Sequence, residues 1–109
     1  MARSLVNVLE EKKAEDIILL DLKEIAIFTD FFIICSGTSD RMLRSLAHNV
    51  IDIAKKHYKK IATAEGQPSA GWIAIDLGDI VVHLFSPDQR NYYQLEQLWQ
   101  NSKLLLRVK

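Results

Sequence analysis

The chain has 109 residues and a mass of 12.5 kDa, the size of a single domain (residues 1–109). Apolar residues make up 49% and charged residues 26%, so the chain is neither disordered nor fibrous. The formal net charge is zero, no apolar run reaches the ~20 residues needed to span a bilayer, and the single Cys35 excludes an internal disulfide or a multi-cysteine zinc site.

The N-terminal segment has no signal-peptide apolar block and carries Glu10, Glu11 and Glu15, so a soluble, cytoplasmic protein is expected. Ser4 to Glu15 reads as a short helix with Leu5, Val8 and Leu9 on one side. Ile17–Leu22 and Phe31–Cys35 are apolar runs of the kind that suits strands covered on both faces, joined by a short connection over Lys23–Thr29. Ser39–Tyr58 is the clearest helix. Leu43, Leu46, Ala47, Val50 and Ala54 recur at helical spacing, and Thr38 or Ser39 can cap the first turn. Thr63–Gly71 reads as a loop, on the strength of Gly66, Pro68, Ser69 and Gly71. Trp72–Phe85 is a hairpin candidate turning at Leu77-Gly78. Ser86-Pro87-Asp88-Gln89 has the cap, the first-turn proline and the capping-box glutamine of a last helix, predicted to run through Trp99. Leu104–Val108 could add a short strand. The order α-β-β-α-β-β-α, with that possible strand, predicts an α/β fold in which helices flank a mixed sheet.

Charge is unevenly spread. From Ile61 to Ser102, Arg90 is the only Lys or Arg against Glu65, Asp76, Asp79, Asp88 and Glu96, a stretch of net −4. Such a stretch repels phosphate and favours a basic protein partner, so direct DNA binding is not expected. The Lys55, Lys56, Lys59 and Lys60 cluster reads as a solvated helix end that complements the helix dipole.

Side-chain direction singles out a surface. A two-residue turn at Leu77-Gly78 sets Asp76 across from Asp79 and Trp72 across from His83. Ile73, Ile75, Ile80, Val82 and Leu84 then share one aliphatic face. The other face mixes Trp72, Ala74, Asp76, Asp79, Val81 and His83, and Leu77 is left at the turn tip. On the last helix, Tyr92, Leu95, Leu98 and Trp99 share a sector, with Tyr93 nearly opposite. Trp72, Leu77 and Tyr93 are therefore expected off the core, where clustered large apolar groups mark a contact surface. The competing expectation is that a helix covers the mixed face, burying Trp72, and that a loop covers Tyr93.

Candidates for chemistry are sparse. His83 reads as a packed, hydrogen-bonded residue rather than a base, and His48 and His57 are not spaced as a ligand pair. Cys35 reads as an inert core thiol. Ser36-Gly37-Thr38-Ser39 follows a strand and opens a helix; it could hold an anion but reads first as a cap. Asp76 and Asp79 could hold a divalent ion, which keeps a small Mg-dependent nucleotidyltransferase-like enzyme as the alternative function. No metal or cofactor is otherwise expected.

Several segments carry a resemblance. They are Asp16-Ile-Ile-Leu-Leu-Asp21, the run from Thr29 to Ser39, Glu65-Gly66, the block from Trp72 to His83, and Arg90-Asn-Tyr-Tyr93-Gln-Leu95-Glu96-Gln-Leu98-Trp99. In this order they resemble the ribosomal silencing factors, also called Iojap-like proteins. The resemblance implies a nucleotidyltransferase-like core without a working transferase site, so a non-enzyme. It implies binding to a large-subunit ribosomal protein of the L fourteen type, which sterically blocks subunit joining and represses translation when nutrients are scarce. It further implies contacts at Trp72, Leu77 and Tyr93, the dry centre of the expected surface, with Asp76, Asp79 and Arg90 as a charged rim and His83 beside them. A patch of this kind could also close on a second copy, giving a homodimer of the free protein.

Overall fold

The computed structural model describes residues 1–109. Its helices are α1 (Ala2–Glu11), α2 (Asp40–Tyr58), α3 (Pro87–Tyr93) and α4 (Leu95–Leu98). Its strands are β1 (Glu15–Asp21), β2 (Phe31–Ser36), β3 (Thr63–Gln67), β4 (Trp72–Asp76), β5 (Ile80–Phe85) and β6 (Lys103–Val108). The strands form one six-stranded sheet ordered β3-β4-β5-β2-β1-β6. β2 and β5 pair in parallel at its centre, and every other pairing is antiparallel.

The apolar runs explain which strands lie inside. Ile17, Leu19, Ile33 and Cys35 pack with α1 and α2 on one face, while the alternating Ile18, Leu20, Phe32 and Ile34 belong to a second, smaller cluster on the other. A strand buried on both faces needs apolar residues at every position, which is why these segments show no alternation. α1 brings Leu5, Val6 and Leu9 to the larger cluster, and α2 brings Leu43, Leu46, Ala47, Val50 and Ala54. The second face is covered by α3, α4 and the connection after β1, through Leu22, Phe85, Leu95 and the partly buried Trp72 and Trp99.

Both caps read from the sequence are present. Ser39 Oγ accepts from the Met42 N–H at 3.1 Å, and Ser86 Oγ accepts from the Gln89 N–H at 3.2 Å. At Gly37-Thr38 the main-chain donors have partners within the protein. The Gly37 N–H bonds the Phe85 carbonyl and the Thr38 N–H points to Met42 Sδ, so the segment serves as a cap and a packing point.

Four expectations are corrected. Thr63–Gln67 is an edge strand rather than a loop; its residues are all exposed, so no apolar pattern announced it, and pairing with β4 creates it. Gly66 there has φ +97, and a Cβ would lie 2.1 Å from the Trp72 carbonyl oxygen, so only glycine permits this approach. The hairpin is shifted by two residues, with Asp76 across from Val81 and Trp72 across from Phe85. The turn moves along by one residue to Gly78-Asp79, closed by the Leu77 N–H on the Ile80 carbonyl, with Gly78 at φ +92. An even shift preserves both faces. Helix α1 ends at Glu11, earlier than expected, and the chain turns through Lys13 at φ 72 to start β1. Finally, the last helix is broken at Gln94, whose φ of 47 and ψ of 51 separate α3 from α4.

Candidate functional site

Trp72 opens β4, beside the Gly66 approach and directly across from Phe85. Its ring lies 4.8 Å from that of Phe85, with 30° between the planes, and 4.7 Å from that of Tyr93 at the end of α3. Trp72 is half-buried, whereas Tyr93 is 46% exposed and forms the open side of the cluster. The expectation that these two residues lie off the main core holds for Tyr93 and in part for Trp72.

Beneath them, the Trp72 indole Nε1–H donates to His83 Nδ1 at 3.2 Å. An accepting Nδ1 assigns the ring proton to Nε2, which is buried without a partner. Burial pulls the His83 pKa down from 6.5 to about 4, so the ring is neutral at physiological pH. His83 therefore supports Trp72 from below. Burial likewise pushes the Cys35 thiol up to about 12, outweighing the opposing effect of Arg90, so Cys35 carries no nucleophilic chemistry.

Two grooves meet on this face. One, of about 290 Å³, is lined by Glu65, Gly66, Ala70, Trp72, Ala74 and Tyr93. The second, of about 230 Å³, shares Glu65 and Ala74 with it and adds Phe28, Phe32, Asp76 and His83. The floor is apolar and the acids stand at its border. Asp76 lies on the same face of β4 as Trp72, about 13 Å along the strand. It is exposed, and its Oδ1 accepts from the Gly78 N–H at 2.8 Å. Asp79 is exposed at the turn, 3.6 Å from Lys60 Nζ. Both carboxylates thus have partners of their own, and no group of three or more His, Cys, Asp or Glu residues comes together to hold a metal.

Three site expectations change. Leu77 is 3% exposed and packs in the larger cluster with Ile73 and Ile75, because the displaced turn leaves it in step with the aliphatic face of β4. The tip of the turn is Gly78-Asp79 instead. Arg90 is 7% exposed and belongs to the interior, not to the rim. Its Nη1 donates to the Asp16 carbonyl at 2.8 Å and to Ser36 Oγ at 3.0 Å, and its Nε donates to Glu96 Oε1 at 3.1 Å. On the last helices, Tyr92 and Leu98 are 77% and 75% exposed, against the expected core sector. The break at Gln94 re-aims Leu98, which follows it, while Tyr92 precedes the break on the open side of α3; only Leu95 of that sector is buried.

Sequence reasoning missed Glu65 and Phe28. Phe28, 57% exposed, tilts against Phe32 at 5.9 Å and Trp99 at 5.8 Å. The available signal was the density of apolar residues (Ile25, Ile27 and Phe28) in what reads as a mere connection.

These features define an α/β domain that offers an open face of aromatic and acidic residues. The family model for the ribosomal silencing factor during starvation matches residues 1–108. Ribosomal silencing factor RsfS of Halalkalibacterium halodurans is 44% identical over 94 residues, 86% of this chain and 80% of that one. A mouse protein named mitochondrial assembly of ribosomal large subunit protein 1 is 35% identical over 99 residues, 87% of this chain and 43% of that one. A crystal structure of a Chromobacterium violaceum protein superposes with a TM-score of 0.83 at 33% identity, covering 91% of this chain and 82% of that one. The chain belongs to the ribosomal silencing factor family.

Proposed function

We propose that this protein represses translation by docking the Trp72–Tyr93 face on a basic protein of the large ribosomal subunit, of the L fourteen type, where the small subunit must join. The reading is supported by family membership, and the large subunit is the one that the mouse relative's name specifies. The observation that carries it is the exposed Tyr93 laid on a half-buried Trp72, at the lip of an apolar groove bordered by Glu65 and Asp76.

The physics follows from the geometry. Tyr93 and Trp72 present large, rigid apolar area that loses little conformational entropy on contact. Glu65, Asp76 and Asp79 attract a lysine- or arginine-bearing surface and repel bare phosphate. His83, Leu77 and Arg90 act from within, holding these groups in place. A body of 35 × 33 × 23 Å seated at the joining surface excludes the other subunit by volume, with no bond made or broken.

Co-sedimentation with purified large subunits tests this. Tyr93→Ala and Trp72→Ala should each lose about 2 kcal/mol or more of binding, with circular dichroism confirming the fold. Tyr93→Ala is the cleaner variant because its side chain is the more exposed. Undiminished binding by both would reject the face.

A further inference from the structure

We propose, resting on that reading, that Arg90 is the positioning residue that aims Tyr93 at Trp72. Arg90 lies three residues before Tyr93 on α3, with its guanidinium turned inward. There it joins three separate elements: the Asp16 carbonyl on β1, Ser36 Oγ at the end of β2, and Glu96 on α4. Its Nη2 also lies 3.5 Å from Asp16 Oδ2.

Two residues next to it have uncommon backbone conformations. Asp16 has φ 46 and Gln94 has φ 47, left-handed values that carry a Cβ penalty in residues other than glycine. The Arg90 side chain bonds the Asp16 carbonyl, while the Arg90 carbonyl accepts the Gln94 N–H at 3.0 Å. Glu96, just past the break, is tied back to the same guanidinium at 3.1 Å. The Arg90–Gln94 main-chain bond is the ordinary helical one; it is the guanidinium, on Asp16, Ser36 and Glu96, that ties α3 and α4 to each other and to the sheet across the elbow. Tyr93 is the last residue before that elbow, so the direction of its ring against Trp72 follows from where the elbow is pinned. A lysine keeps the charge but lacks the planar fork that reaches three partners at once.

The test pairs two readouts on Arg90→Lys. The first is the set of nuclear Overhauser contacts between the Trp72 indole and the Tyr93 ring, in free protein. The second is affinity for purified large subunits. The expected result is a folded variant in which the ring contacts are lost and the dissociation constant rises roughly tenfold. Retained ring contacts overturn the positioning role of Arg90 and leave the docking face standing. Lost contacts with unchanged affinity uphold the positioning role and reject Tyr93 as part of the docking face. If Arg90→Lys does not fold, Glu96→Ala, which frees α4 from the same guanidinium, is measured in the same two ways and judged by the same outcomes.

Discussion

His83 shows how one buried group ties stability to the exposed face. Its Nδ1 accepts the Trp72 indole proton, which only an unprotonated Nδ1 can do. Folding holds its pKa near 4 against an ordinary 6.5, so the folded state favours the neutral ring. The sign is that of a depressed pKa. The stabilisation is complete above about pH 6.5 and is lost as pH falls toward 4, because the unfolded chain binds the proton first. Urea unfolding at pH 7 and pH 5 should therefore show a loss of about 2 kcal/mol arising from this group. His83→Gln, which does not titrate, should lack that component; an unchanged pH dependence in the variant would assign it to other groups.

Among the elements, the α3–α4 elbow shapes the face most. Ser86 and Pro87 start α3 as the capping pattern demands, but nothing in the amphipathic pattern stops it at Tyr93. Gln94 does so from a left-handed conformation that glycine reaches without a Cβ penalty. Gln94→Gly should raise stability by about 0.5–1 kcal/mol, read as a higher melting temperature, with Tyr93 still on Trp72. A lower melting temperature would show that the Gln94 side chain, not Arg90 and its partners, holds the turn.

Across the molecule, charge and layering divide the same way. The net −4 stretch from Ile61 to Ser102 carries Glu65 and Asp76 at the grooves and Asp79 at the turn, while α2, with Lys55, Lys56 and Lys59 in or beside its last turn, packs on the opposite face of the sheet. The acids at the grooves favour a basic partner there, while Asp79 at the turn already pairs with Lys60 at 3.6 Å. Association with large subunits should slow as salt rises. Asp76→Asn with Asp79→Asn should lower the association rate at low salt and flatten its salt dependence, while the dissociation rate changes little. Stopped-flow binding across a salt series checks this, and an unaltered salt slope would remove the acids from the encounter.

Much of this was legible in the residue order. Unbroken apolar runs announced strands buried on both sides, the Ser39 and Ser86 caps announced helix starts, and the parity of Trp72, Ala74 and Asp76 survived a two-residue error in register because side chains alternate with period two. Local chemistry sufficed for those features. The edge strand Thr63–Gln67 and the inward turn of Leu77 depend on strand pairing that the residue pattern did not announce, and the inward turn of Arg90 depends on Asp16 and Ser36, partners distant in sequence. A charged side chain reads as surface until the fold brings a carbonyl, a hydroxyl and a carboxylate around it. That convergence, made by the sheet and absent from any local window, turns Arg90 inward and leaves Tyr93 facing out.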